Sequence, residues 1–289
     1  MKPYPECGLC VAKWTYERVT PSLSDKQRFP ILAKLMRVVA EEMDPSVNLA
    51  IICNRTLAAV HDLRMASYGD YEELKRKSNE AAERLLTEAK AFIENSETPR
   101  AGFVKACALA AVGNVAPIGL PSGPFEFPMV EDIIRGKAPL PVVSGDLYGA
   151  ASRARNVFYV ADNAGEIGFD SLLISLLRKM GAKVTLVVKE APFFDDATLE
   201  DVRYFGLEHR VDALHRVRGG IFVPHHTGAE LDPFFESADL IVSKGTGNFE
   251  ALKGQADKKP TLFLLKAKCR PVSKETNTPK GQFVVRLEE

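Results

Sequence analysis

The sequence predicts an α/β protein: a three-layer α/β/α unit with a mainly parallel sheet, preceded by a helical N-terminal domain. Three observations predict it. Residues 6–112 repeat apolar side chains at helical spacing, residues 117–147 are dense in Pro and Gly, and from Asn156 short β-branched and aromatic runs alternate with helical segments. Such alternation implies right-handed βαβ units and a sheet covered on both faces. We place the division near residue 150, with a helical and connecting part at 1–150 and the α/β/α part at 151–289. The interface between them is the expected cleft.

The helical part begins with residues 6–19 and 24–43, the second interrupted early by Pro30, and continues through 46–63, just behind Pro45. Residues 71–94 have the clearest period, because Tyr71, Leu74, Ala81, Leu85, Leu86, Ala89, Phe92 and Ile93 recur between Lys, Arg and Glu residues. Their charged face is read as solvated. Residues 100–112 form a more apolar helix that ends near Gly113-Asn114, a plausible cap. Strands are expected at 157–161, 184–188, 211–214, 240–242 and 261–265, with a helix at 167–180 behind the first. Residues 282–287 read as an added edge strand, with antiparallel pairing open to it. Neither an internal repeat nor a low-complexity segment interrupts this pattern.

Composition narrows the function classes. Among 289 residues, 38 acidic side chains balance 38 basic ones, so no overall field draws the chain to nucleic acid or an anionic membrane. The sequence has neither a membrane-length apolar run nor the apolar core of a signal peptide near Met1, and a cytoplasmic protein is expected. Five scattered cysteines do not make a secreted disulfide framework. Cys53, Cys107 and Cys269 read as simple thiols. Cys7 and Cys10 have the spacing of a metal or redox pair, yet no second CxxC or HxxxH completes a zinc site, and His225-His226 reads as solvent-facing. Two helix-borne structural thiols are the preferred reading.

The chemistry gathers at strand ends, where open α/β sheets bind their ligands. Asp162-Asn163-Ala164-Gly165-Glu166 closes the first strand. Asp162 and Asn163 offer a carboxylate and an amide oxygen, hard donors of the kind Mg²⁺ and Mn²⁺ accept; a surface turn is the bland alternative. Gly165 permits close approach of a ligand, and Glu166 serves either the helix dipole or a water molecule. After the second strand, Asp195 or Asp196 can reach the same ion, while capping the next helix is the competing role. A third cluster, Ser243-Lys244-Gly245-Thr246-Gly247-Asn248-Phe249-Glu250, turns backbone N–H groups toward an anion and adds Lys244 as a point charge suited to phosphate. It is neither a Walker A loop nor a complete GxGxxG. A Gly-x-Ser-x-Gly elbow is absent, and neither Cys53 nor Cys107 announces a base for nucleophilic catalysis.

With these motifs the chain resembles the damage-control phosphatase family, metal-dependent enzymes long catalogued as a domain of unknown function, in its archaeal-type branch with an N-terminal CxxC. The resemblance runs through Cys7 and Cys10, residues 71–79, Gly113-Asn114, residues 162–166, Asp196 and residues 243–250. It implies Asp162, Asn163 and Asp196 as ligands of a divalent ion, whether Mn²⁺, Co²⁺, Ni²⁺ or Mg²⁺, and so chooses Asp196 over Asp195. It further implies that Lys244 contacts the substrate phosphate and that Asn114 lies at the same cleft; together with the reading of the residues, Asp162, Glu166 and Lys244 are the candidate catalytic groups, and Asn114, Gly165, Lys244, Gly245, Asn248 and Glu250 the candidate substrate-binding ones. Many relatives carry an acidic residue shortly after Gly-Asn, where this chain has Val115-Ala116-Pro117-Ile118.

The implied reaction is hydrolysis of a small phosphomonoester, such as a sugar phosphate or a damaged phosphometabolite, by a metal-activated water. Glu166 or a free aspartate would orient that water, and a phospho-aspartate on Asp162 is less favoured because a metal ligand is less free to attack. The same fold admits an adenosyl-methionine-dependent methyltransferase, or a non-catalytic binder of a metal or sugar phosphate. Metal dependence of activity separates them.

Overall fold

A seven-stranded sheet with helices on both faces forms the frame of the computed structural model, which describes residues 1–66, 68–191, 193–254 and 259–289. The helices ahead of the sheet are α1 (Pro5–Val19), α2 (Asp25–Glu42), α3 (Leu49–Ala58), α4 (His61–Ala66), α5 (Tyr68–Glu94) and α6 (Pro99–Val112). Their starts are chemically marked. Pro5 and Pro99 occupy first helical positions, where the missing N–H costs nothing, and Asn48 and Thr98 accept backbone N–H bonds at the starts of α3 and α6. The sequence expects one helix over 46–63, but the chain divides it into α3 and α4. Val60 N–H turns to the Leu57 carbonyl, a tighter bond that ends the α-helical ladder.

The stretch from 117 to 147, read from sequence as a connector, also holds α7 (Pro128–Ile134) and the two-residue β1 (Val143–Ser144). Beyond it come α8 (Leu147–Arg153), β2 (Asn156–Val160), α9 (Glu166–Lys179), β3 (Lys183–Lys189), α10 (Leu199–Tyr204), β4 (Ala213–Val217) and α11 (Asp232–Ser237). The chain closes with β5 (Leu240–Lys244), α12 (Gly245–Leu252), β6 (Thr261–Lys266), α13 (Arg270–Thr276) and β7 (Phe283–Glu288). Strand β4 starts two residues later than the sequence suggests, since the Asp212 side chain accepts the Val184 N–H and ends the preceding turn.

The sheet order is β1-β7-β6-β5-β2-β3-β4. Strands β2 to β6 run parallel, and β7 joins β6 antiparallel. The last strand is not an edge, however, because β1 pairs with its outer side. The chain steps outward from β2 through β3 to β4, then returns to β5 on the other side of β2. The order therefore reverses between β2 and β5, the position at which such sheets leave a crevice for ligands.

Each face carries its own hydrophobic cluster, and both draw on residues before and after position 150. Along β2, Val157 and Tyr159 join the cluster of α5, α6 and α9, while Phe158 and Val160 join that of α1, α3 and α12. Both alternating sets are buried, as expected for a parallel sheet covered on two sides. Among the described residues, no helix is long and apolar enough to cross a membrane.

Phe158 is fully buried, with ring centroids 5.3 Å from Phe222 and 5.8 Å from Phe235. Replacing Phe158 by Ala is expected to cost about 3–5 kcal/mol. The urea midpoint should fall accordingly, whereas replacing the exposed Val142 by Ala should leave it nearly unchanged.

Candidate active site at the sheet reversal

The loop after β2 is fastened to the loop after β3. Ala197 N–H donates to the Asp162 carbonyl (2.7 Å), Ala164 N–H donates to the Asp195 carbonyl (2.9 Å), and Asn163 and Asp196 form an isolated antiparallel bridge. This pairing brings Asp162, Asn163 and Asp196 together. On the β5 side, Asn248 Nδ2 donates to the Ala161 carbonyl (3.0 Å) and the Lys244 carbonyl (2.8 Å), joining α12 to the β2 loop. Gly245 has φ +74°, and a Cβ there would overlap the Asp162 carboxylate. Only glycine satisfies both conditions.

Beneath these loops lies a buried layer of charge. Lys244 Nζ is ion-paired with Glu166 and with Asp170 (2.8 Å), and all three side chains are sealed from solvent. Tyr159 Oη donates to Asp170 Oδ1 (2.7 Å). Burial opposes the charge on Lys244, but Asp170 and Glu166 outweigh it and hold the ammonium above the usual lysine range. Asn114 donates its Nδ2 protons to Asp162 Oδ2 (2.8 Å) and Glu166 Oε2 (2.9 Å); Asn163 does the same at 2.7 and 2.8 Å. The two carboxylates thus fix the orientation of both amides. Asn114 Oδ1 accepts the Lys266 N–H (3.3 Å), whereas Asn163 Oδ1 takes no hydrogen bond among the described residues and can face a cation.

This arrangement changes several assignments suggested by the sequence. Lys244 and Glu166 do not line the cavity above the loops, so a phosphate contact at Lys244 and a water-orienting base at Glu166 are not what their positions offer. Their charges are spent on each other and on the amides. Asn114 is also beneath the wall. Close packing by itself requires glycine at 165 and 245: a Cβ on Gly165 would lie 2.7 Å from the Ser78 carbonyl oxygen of α5.

The cavity wall does carry Asp162, Asn163, Asp196, Asn248 and Glu250, together with Asp195 and three cations that sequence reasoning misses: Arg18, Lys189 and Lys268. Asp195 is engaged by Arg18 in a buried ion pair, with the guanidinium also within cation–π reach of the rings of Trp14 and Phe194. Asp196 is held less tightly, its nearest cation being Lys189 at 3.6 Å. Lys268 makes no hydrogen bond or ion pair among the described residues. Burial lowers its pKa, countered by Asp162, Glu166 and Asp195. It stands two residues past β6, and that strand-end position was the signal available in the sequence.

Burial, reinforced by Glu166, pushes the Asp162 carboxyl up to about 6. Burial likewise raises Asp196 well above the ordinary range, with Lys189 opposing and Asp162 and Asp195 adding to the rise. Such crowding of acids calls for positive charge. Among the described residues no three His, Cys, Asp or Glu side chains form a metal-binding group. The set here is instead two carboxylates and the free amide oxygen of Asn163, hard donors that fit a divalent ion.

Cys7, Cys10, Cys53 and Cys269 also line the cavity. Burial pushes Cys7 up to about 11, a protonated thiol at neutral pH, whereas Cys10 is exposed on the same helix. Glu250 is pushed up to about 7 by burial, against the opposing N-terminal amine and Lys268.

Comparison with known proteins places this geometry in context. Residues 4–284 match the damage-control phosphatase ARMT1-like domain. The chain is 31% identical to the damage-control phosphatase PH1575 of Pyrococcus horikoshii, over 98% of this chain and 97% of that one. It is 30% identical to a damage-control phosphatase of Archaeoglobus fulgidus over the full length of both. The crystal structure of the Pyrococcus protein, described as a DUF89 family member, superposes with a TM-score of 0.76 and 28% identity, covering 99% of this chain and 98% of that one. The sheet, the loops fastened across its reversal and the whole-length match together make this chain a member of the damage-control phosphatase ARMT1-like domain family.

Proposed function

We propose that the chain is a metal-dependent phosphatase acting on small phosphomonoesters. The observation that carries this reading is the acid-amide set Asp162, Asn163 and Asp196 sharing one cavity with Lys268, a cation that makes no hydrogen bond or ion pair among the described residues. The names of the relatives point the same way. Asp162, Asn163 Oδ1 and Asp196 would hold the ion, which when bound supplies Lewis-acid polarisation of the phosphate and a more acidic water.

The protein's own groups supply the rest. Lys268 is placed to neutralise a phosphate oxygen, and Thr246 and Gly247 bring the open N–H groups at the start of α12 to the same cavity. Glu166, saturated by two amides and Lys244, keeps Asn163 turned with its oxygen outward. Asp195 is occupied by Arg18, so it is not a free base. Attack by Asp162 itself is disfavoured, because its Oδ2 already accepts two amide protons. Trp14, Val11 and Ile118 offer apolar surface to the organic part of the substrate.

Hydrolysis of a chromogenic phosphate ester should vanish with a chelator and return with Mn²⁺, Co²⁺, Ni²⁺ or Mg²⁺. The single variants Asp162→Ala and Asp196→Ala should abolish it, and Lys268→Ala should lower kcat/KM about 100-fold. Persistent hydrolysis in both aspartate variants would remove the assignment; adenosyl-methionine binding by metal-free protein without hydrolysis would replace it.

Glu250 gives a separate pH dependence. Its folded pKa of about 7 lies above its ordinary value of 4.5, so its protonated form favours the fold. That contribution is complete below about pH 4.5 and fades as the pH rises through 7. Between pH 5 and 8 the wild type should therefore lose more thermal stability than Glu250→Gln, measured by melting in the same buffers.

A further inference from the structure

Lys75 and Asn79 of α5 are buried polar side chains that neither line the cavity nor touch the candidate ligands. Their partners explain why they are there. Asn79 Oδ1 accepts the Gly165 N–H (2.6 Å), and its Nδ2 donates to Asp201 Oδ1 (2.8 Å). Lys75 Nζ pairs with Asp201 Oδ2 (2.7 Å) and donates to Thr198 Oγ1 (2.9 Å). Asp201 Oδ2 in turn accepts the backbone N–H and hydroxyl of Thr198 (2.8 and 3.0 Å). A continuous, charge-assisted chain therefore runs from the loop bearing Asp162 and Asn163 to the loop bearing Asp196. It ends three residues from Asp162 on one side and two residues from Asp196 on the other.

We infer that Lys75, Asn79 and Asp201 form a brace that sets the spacing of the two ligand-bearing loops and thereby the affinity for the divalent ion. The inference rests on the proposed metal site. Burying an ammonium and an amide is costly unless every polar atom finds a partner, and an apolar helix face would pack against the sheet without that cost. Here the partners are almost all on the two loops and the first turn of α10. The α5 backbone reinforces the contact, because the Ser78 carbonyl oxygen is within 2.7 Å of where a Gly165 Cβ would be. Ion binding depends on ligands being held within about 0.5 Å of productive geometry, so slackening the brace weakens binding without altering any ligand. Lys75, Asn79 and Asp201 are positioning residues, not catalytic ones.

The test is calorimetric titration of metal-free full-length protein with Mn²⁺, for wild type, Asn79→Ala, Lys75→Met, Asp162→Ala and Phe158→Ala. Melting of each in chelator reports its stability. The brace requires Asn79→Ala and Lys75→Met to weaken Mn²⁺ binding about 10- to 100-fold, with KM for the phosphate ester unchanged at saturating Mn²⁺. Phe158→Ala, destabilised through the hydrophobic cluster on the sheet face away from the brace, should keep wild-type Mn²⁺ affinity, which separates positioning from general loss of stability. Unchanged Mn²⁺ affinity in folded Asn79→Ala overturns the brace even if Lys75→Met does not fold. Wild-type affinity in Asp162→Ala, or no Mn²⁺ binding by wild type, overturns the metal site itself and the brace with it.

Discussion

Lys244 places a full positive charge in the interior at the point where the strand order reverses, and its neighbours must meet that charge or the fold would lose several kcal/mol. Glu166 and Asp170 do so from successive turns of α9, so the ion pairs lock β5 to the helix that follows β2. With one Glu166 oxygen taken by Lys244, the other accepts protons from Asn114 and Asn163. The orientation of Asn163 is therefore inherited from a charge beneath the cavity. A residue that cannot reach the ligand decides which atom of its neighbour can.

The layer above follows from close backbone approach. Gly245 lets β5 turn into α12 directly beside Asp162, and the hydrogen bonds from Ala164 and Ala197 hold the β2 and β3 loops edge to edge. Acidic side chains are thereby buried side by side, and burial first, with neighbouring carboxylates adding to it, raises the carboxyls of Asp162 and Asp196. Packing has created the electrostatic demand that a divalent ion would meet.

Much of this was legible in the sequence, and the failures have physical causes. Residues 162–166 stood out because a polar run after a buried strand needs a reason, and the structure puts them at the reversal. The two-residue β1 has no period to detect, and Lys268 lacks the glycine turn that draws attention to Lys244. The direction of Lys244 could have been read from strand alternation. Leu240 and Val242 belong to the cluster on the α9 face, so Lys244, two residues further, points there too. The cavity opens on the other face, among Val11, Leu49 and Cys53. Position at a strand end marks a residue as near the site; its parity along the strand decides whether it faces the ligand or supports what does.

The central claim is that the ion and the phosphate meet above this buried layer, held by Asp162, Asn163, Asp196 and Lys268. Anomalous-difference maps from crystals soaked in Mn²⁺ and phosphate test it directly. The expected map has one Mn²⁺ peak coordinated by the Asp162 and Asp196 carboxylates and Asn163 Oδ1, with a phosphate oxygen on Lys268 Nζ and the Lys244 pairs intact. A Mn²⁺ peak away from those aspartates, or a phosphate bound to Lys244 with Glu166 displaced, would contradict it.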